Sequence, residues 1–256
     1  MSWSFRRKFL YALVVLVMLA ISAVYFSRNI LFPAPSCNDQ KQNGYESGID
    51  CGGVCSLRCV SEVSPLTVLW AKAVRSGPGL YDLVGMINNN NINNASKELV
   101  YTFTMYDLAG KVMGEITGST VAPLGGNFPV IIQSIPLKTI PTNVVVSLQD
   151  TAHYSVKESP SSPTIKIVQR RYEYESIPRV YSTIVNTKQI EITNLPVKAL
   201  LFDDKDNVYA VAQTVVPYLE KEGIKEVIFT WNEKLPFTPT RIGIYPIFDP
   251  FDAIGY

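Results

Sequence analysis

The pattern of hydrophobic and polar residues divides this chain into one long apolar run and a β-rich remainder. Residues Phe9–Phe26 contain no charged side chain, and these 18 residues would extend over about 27 Å as a helix, close to the thickness of a bilayer core. After residue 64, apolar and polar residues alternate in short stretches that end at turn-forming residues, which is typical of strands. The pattern therefore predicts one membrane-spanning helix over residues 9–27, followed by a body of strands.

The charges that flank the apolar run predict its orientation. Arg6, Arg7 and Lys8 stand directly before it, whereas only Arg28 follows closely. Positive residues are retained on the cytoplasmic side, so residues 1–8 are expected in the cytoplasm and the body outside. The alternative is a signal peptide cleaved at Ala23, but the run is longer than the roughly 7–15 residues of a usual signal core, which favours an anchor. Both alternatives export the body.

Composition shifts predict where the segments of the body begin and end. A proline-containing linker at 28–36 precedes a cysteine-rich module at 37–60. A Ser/Pro-rich linker at 156–164 then separates two strand-rich regions, 64–155 and 165–256. Such a linker would let the two regions tilt relative to each other, unless the interface between them is large.

The two strand-rich regions carry related turn signals, which predicts an internal duplication. The acidic turn that begins at Asp107 matches the one that begins at Asp203, at an offset of 203 − 107 = 96. Upstream, Asn88 is aligned with Asn186, at an offset of 186 − 88 = 98. We therefore expect two copies of one β-domain.

Alternation inside each copy predicts which strand residues face a core. The expected inward residues are Tyr101, Phe103 and Met105 in the first copy, and Val197, Ala199 and Leu201 in the second. Val144–Val146 and Ile242–Ile244 are the expected closing strands. Several short strands with turns every 8–12 residues predict a mainly β fold of two tandem β-sandwiches.

One strand resembles the signature of the FxLYD-type domains. The matching residues are Phe103-Thr-Met105-Tyr106-Asp107, together with the upstream Gly85-Met-Ile87-Asn88. The second copy, Ala199-Leu-Leu201-Phe202-Asp203, is a weaker match that lacks the first Phe. The resemblance implies immunoglobulin-like sandwiches of bacterial surface or secreted proteins, with no catalytic residues.

All four cysteines fall within one short segment, and they predict disulfides. They are Cys37, Cys51, Cys55 and Cys59. Outside the cytoplasm an even number of clustered cysteines indicates two disulfides, for which three pairings are possible. Zinc bound by four thiolates is the alternative, but Cys37 is far from the others and an oxidising compartment opposes free thiolates.

The same segment resembles a short surface-protein motif, Cys-x-Asp…Asn-Gly-x-Glu-x-Gly-x-Asp-Cys-Gly-Gly-x-Cys, in which Gln40 replaces the usual Gly. Four oxygen-bearing side chains, Asp39, Asn43, Glu46 and Asp50, are interleaved with its glycines. They predict a calcium site if backbone carbonyls and water complete the roughly 6–8 ligands. The alternative is that these side chains cap tight turns in a disulfide knot.

The charge balance and the motifs argue against several classes of function. With 23 basic and 22 acidic residues, the chain has no charge excess that would indicate nucleic-acid binding. No Gly-x-Ser-x-Gly motif or phosphate-binding glycine loop is present. Trp70 and Trp231 are expected in the core or on a sheet face, and an exposed binding platform is the alternative.

We therefore expect a non-catalytic, single-pass cell-envelope protein that acts as a binding or spacer module. Its expected partners are the lipid bilayer, through Phe9–Phe26, and another envelope or surface protein. The alternatives are an accessory subunit of an envelope assembly, such as a pilus-like or secretion complex, and a glycan-active enzyme with two carboxylates in a groove.

Overall fold

The computed structural model describes residues 3–31, 37–149, 153–155 and 165–251. Helix α1 spans Trp3–Leu31 and a 3-10 turn spans Val60–Glu62. The strands are β1 (Thr67–Gly77), β2 (Leu80–Asn89), β3 (Asn94–Tyr106), β4 (Val112–Ala122), β5 (Gly126–Pro136), β6 (Asn143–Leu148), β7 (His153–Ser155), β8 (Ile165–Tyr174), β9 (Pro178–Asn186), β10 (Ile192–Phe202), β11 (Val208–Leu219), β12 (Ile224–Thr230) and β13 (Arg241–Pro246). The predicted linker at 156–164 lies outside the described residues.

The chain forms two compact units, one ending at Cys59 and the other beginning at Val60. The first unit contains α1 and the cysteine-rich module. The second contains all of the strands β1–β13, and therefore both of the predicted sandwich regions.

Four antiparallel sheets make up the second unit, two from each half of its sequence. The first half forms the sheets β1-β2-β5 and β4-β3-β6, with β7 also paired to β3. The second half forms β8-β9-β12 and β11-β10-β13. The strand order of the two halves is the same, because β1 to β6 correspond in sequence order to β8 to β13. This confirms the mainly β fold with two sandwiches, and the repeated topology supports the duplication.

The acidic turn is built in the same way in both halves. Asp107 Oδ1 accepts the backbone N–H groups of Ala109 and Lys111, each at 2.9 Å. Asp203 Oδ1 accepts those of Lys205 and Asn207, at 2.9 and 2.7 Å. These carboxylates cap tight hairpin turns, a role that their position between two strands predicts.

The asparagine turn is also repeated, but at a different residue from the one that the sequence comparison predicted. Asn186 Nδ2 donates to the carbonyls of Ile190 and Glu220, and its Oδ1 accepts the N–H of Lys188. The residue with this role in the first half is Asn89, which bonds the carbonyls of Asn94 and Pro123. The predicted alignment of Asn88 with Asn186 is therefore wrong by one residue. Within a run of asparagines, composition does not distinguish the one whose amide is buried.

Each sandwich has its own apolar core, and the alternation predicted from the sequence is confirmed. All six of the predicted inward residues are at most 4% exposed: Tyr101, Phe103, Met105, Val197, Ala199 and Leu201. The predicted closing strands are β6 and β13, which pair with β3 and β10.

A third apolar core lies between the two sandwiches. Val84 and Met86 on β2 belong to it, as do Leu200 and Phe202 on β10, whereas the alternate residues of these strands face the sandwich cores. The sheets β1-β2-β5 and β11-β10-β13 are thus packed on both faces. The order of layers is β4-β3-β6, β1-β2-β5, β11-β10-β13 and β8-β9-β12. Because two inner sheets share a core, the halves form one unit and not two independent modules.

A lysine is buried in the contact between the halves. Lys198 is 5% exposed, and its Nζ donates to the carbonyl of Pro129 at 2.8 Å, so the bond joins β10 to β5. Burial disfavours the charged form and lowers the pKa of Lys198 from 10.5 to about 8.

This lysine predicts that the protein becomes more stable as the pH rises above 8. Between its folded and unfolded pKa values, the unfolded chain binds a proton that the folded chain has released, so the free energy of unfolding rises with pH. We expect a slope of up to about 1.4 kcal/mol per pH unit from pH 8 to about 9, where tyrosines are still mostly protonated. Urea unfolding of the full-length protein in detergent measures it. Lys198→Met should remove the slope, and an equal slope in the variant would assign it to another group.

Candidate functional site

Helix α1 contains a segment that is long and apolar enough to cross a membrane. Residues Lys8–Ser27 have a mean hydropathy of 2.6, and none of this segment is buried against the rest of the described chain. Its apolar side chains are about half or more exposed, from 45% at Val14 to 67% at Met18. So much exposed apolar surface requires an apolar environment outside the chain, which fits a membrane anchor or a signal sequence.

The structure selects one of the three possible disulfide pairings in the module. Cys37 is bonded to Cys55 and Cys51 is bonded to Cys59. The prediction of two disulfides is confirmed. The zinc alternative does not fit, because no cysteine of the chain is a free thiol.

Two of the four oxygen-bearing side chains of the module cap its first turn. The carboxylate of Asp50 accepts the backbone N–H groups of Asp39 and Gln40, at 2.9 and 2.8 Å. Asp39 in turn accepts the N–H of Lys41 at 3.0 Å and the side-chain amide of Asn43 at 2.7 Å. The structure brings these predicted site residues together, and they form the turn-capping arrangement that the sequence offered as the alternative to calcium.

The other two residues lie deeper in the module. Glu46 is 8% exposed; its Oε2 accepts the backbone N–H of Asn43 at 3.1 Å, and its Oε1 lies 3.3 Å from Cys55 Sγ. Asn43 Oδ1 is buried without a hydrogen-bond partner among the described residues. Cys37, Glu46 and Cys55 have ligand-type atoms within 4.8 Å of one another, but the two sulfurs are bonded to each other and are not thiolates. Calcium binding by Asp39, Asn43, Glu46 and Asp50 stays a prediction.

Backbone angles explain two glycine positions of the cysteine motif. Gly53 has a φ of +55°, and a Cβ there would lie 1.6 Å from the carbonyl oxygen of Tyr45, so no side chain fits. Gln40, which replaces the usual Gly, also has a left-handed φ of 60°. A glycine would adopt that angle without strain, which gives the motif a physical reason for glycine there.

Neither of the two sheet tryptophans forms an exposed platform. Trp231 is 9% exposed and its Nε1 donates to the carbonyl of Val211 at 3.0 Å. Trp70 is half-buried and packs against the core between the sandwiches. The prediction of core or sheet-face positions is confirmed.

One cleft in the strand unit was not predicted from the sequence. It has a volume of about 370 Å³, and its lining includes Arg75, Ser76 and Asp82 from the first half and Tyr209, Trp231 and Glu233 from the second. Asp82 is only 3% exposed, and its Oδ1 accepts the N–H of Ser134 at 2.8 Å. The sequence contained one sign of this cleft, the carboxylate of Asp82 in the hydrophobic stretch at the start of β2. A buried strand seldom carries an unpaired charge, so such a residue points to a special role.

Comparison with known proteins does not assign this chain to a family. No protein-family model matches the chain, and a search of curated proteins returned no match. Among solved structures, red sea bream transglutaminase is similar over 72% of this chain at 12% identity, with a TM-score of 0.23. The chain spans only 29% of the length of that protein. Similarity at this TM-score carries no argument about fold or function.

Proposed function

We propose that this protein is a membrane-anchored cell-envelope protein that acts without catalysis, as a binding or spacer module. The observation that carries the proposal is the 20-residue apolar segment Lys8–Ser27, unburied in the described chain, followed closely by two disulfides. An apolar helix of this length requires lipid, and disulfides persist in oxidising compartments. The positive residues before the segment favour a cytoplasmic N-terminus and an exported body.

The strand unit supports a role in display or spacing. Both halves are held in one unit by the core between the sandwiches and by the hydrogen bond from Lys198 to Pro129. A partner that binds one half would therefore keep a fixed position relative to the second half. We propose that the sandwiches are of the immunoglobulin-like type and that the partner is another envelope or surface protein. An accessory subunit of an envelope assembly would use the same architecture.

Protease accessibility tests the proposed topology. In spheroplasts of a bacterial host that produces the full chain with a tag at each end, we expect added protease to remove the C-terminal tag and to leave the N-terminal tag intact. Alkylation of the denatured, unreduced protein should find no free thiol. A protected C-terminal tag or four free thiols would contradict export, and a cytoplasmic marker protein controls for lysis. Loss of the N-terminal tag without protease would instead indicate a cleaved signal peptide.

A further inference from the structure

The cleft between the two halves of the strand unit holds a buried carboxylate that no described residue pairs with a positive charge. Asp82 is 3% exposed and receives one backbone hydrogen bond, from Ser134 to its Oδ1. Among the described residues its carboxylate forms no ion pair. A buried carboxylate is costly unless it is paired and fully hydrogen-bonded, so Oδ2 has capacity to accept hydrogen bonds from a ligand.

Two further acceptors line the same cleft. Ser76 Oγ is buried without a hydrogen-bond partner among the described residues. Glu233, from the second half, reaches Gly77, the residue next to Ser76. Its Oε1 lies 3.9 Å from the position that a Cβ on Gly77 would occupy. The cleft therefore combines oxygen acceptors from both halves.

The two basic residues of the lining have other contacts. Arg75 Nε donates to the carbonyl of Gly77 at 3.3 Å, and Lys234 Nζ lies 5.8 Å from the ring centroid of Tyr174. Neither forms an ion pair with Asp82. In the described part of the chain, Asp82 is therefore not paired with a positive charge.

Aromatic rings complete the lining. The indole N–H of Trp231 is occupied by the carbonyl of Val211, and the hydroxyl of Tyr209 donates to the carbonyl of Phe237 at 3.1 Å. With both donors engaged, these two side chains offer a ligand ring surface and the acceptor capacity of the Tyr209 oxygen. An aromatic ring favours a nearby cation over a neutral group.

We propose that this cleft binds a ligand through a protonated primary amine. An ammonium group has three donors and no acceptor, which matches the carboxylate of Asp82, the hydroxyl of Ser76 and the carboxylate of Glu233. The volume suits a monosaccharide or a single side chain. The amine could therefore belong to an amino sugar or to a lysine side chain of a protein. This inference goes beyond the proposed function and holds whether or not the chain is exported.

Titration of the full-length protein in detergent with matched pairs of amines tests the proposal. The probes are glucosamine with N-acetylglucosamine, and Nα-acetyl-lysine amide with its Nε-acetylated analogue, measured by ligand-observed NMR. We expect at least one amine to bind about 10-fold or more tightly than its neutral partner, and the pair that shows the difference identifies the source. Asp82→Asn keeps an oxygen for Ser134 N–H and should reduce that preference about 10-fold.

The controls separate loss of the site from loss of the fold. Glu233→Gln, on an exposed residue, should also weaken amine binding and keeps the test valid if Asp82→Asn does not fold. Glu226→Gln, at an exposed carboxylate of β12 outside the lining, should change nothing. Equal binding of the neutral analogues, no binding of either amine, or an unchanged preference in a folded Asp82→Asn protein would overturn the proposal.

Discussion

Leu200→Ala should lower the free energy of unfolding by about 2–5 kcal/mol, as much as the same substitution at the adjacent Leu201. Both side chains are completely buried, but they point to opposite faces of β10. Leu201 lies in the core of the second sandwich, whereas Leu200 lies in the core between the two sandwiches. Each substitution leaves a cavity in a packed apolar layer, and the cost of that cavity adds to the lost burial.

The comparison of the two variants tests whether the halves share a core. If the sandwiches were independent modules, Leu200 would lie on a surface and its truncation would change stability by no more than about 0.5 kcal/mol. Urea unfolding of the full-length protein in detergent, followed by far-UV circular dichroism, gives both values. A large effect for Leu201→Ala with none for Leu200→Ala would contradict the shared core.

Much of the β architecture was predictable, because alternation is a direct consequence of strand geometry. One face of β3 is buried and the other is partly exposed, so its sequence alternates and the prediction succeeded. The core between the sandwiches was missed because the prediction assigned each strand only one buried face. Its signal was nevertheless present: Leu83–Ile87 and Ala199–Phe202 are continuous apolar runs, which is typical of strands covered on both faces.

Different residues at two core positions make the FxLYD-like signature weaker in the second half. In the first half, a Cβ at Gly85 would lie 3.0 Å from Val146 and 3.3 Å from Val130, whereas Phe103 Cε1 would be at an ordinary contact distance of 3.5 Å. By the correspondence of Asn89 with Asn186, the second half has Ser182 at the glycine position, and Ala199 stands at the Phe position. Both residues of the second half are buried, with Ser182 1% and Ala199 0% exposed, and the added serine side chain offsets only a small part of the volume lost from Phe to Ala. Both differences lower the identity between the two halves.

The sequence contains one sign of the cleft, the carboxylate of Asp82 in an apolar strand, but the composition of its lining could not be predicted, because the lining residues are distant in the sequence. Asp82 lies on β2, while Glu233 follows β12 in the other half. Neither residue belongs to a motif, and only the packing of one sandwich on the other brings them to one cavity. The turn-capping carboxylates, by contrast, act on residues two to four positions away, so their role was predictable from local sequence.

Removal of both disulfides should unfold the cysteine-rich module and leave the strand unit folded. The bridge from Cys37 to Cys55 spans 18 residues and that from Cys51 to Cys59 spans 8. Loop-closure entropy assigns them about 3 and 2.5 kcal/mol respectively. Apart from the bridged sulfurs Cys55 and Cys59, only Glu46 and Gly52 are buried in this segment, so no apolar core remains to replace them.

Hydrogen exchange of the full-length protein measures this prediction residue by residue. After reduction, the amides of Gly52 and Cys55, which bond the carbonyls of Leu57 and Gly52, should lose protection, while those of β2 and β10 retain it. Mild reduction that also exposes β2 would contradict the division into two units at Cys59. A reduced module that stays protected in calcium but not in a chelator would show that its oxygen-bearing side chains bind the ion. Loss of protection both in calcium and in a chelator would show that the disulfides hold the module together. Turn caps alone do not offset the entropy of ordering the segment.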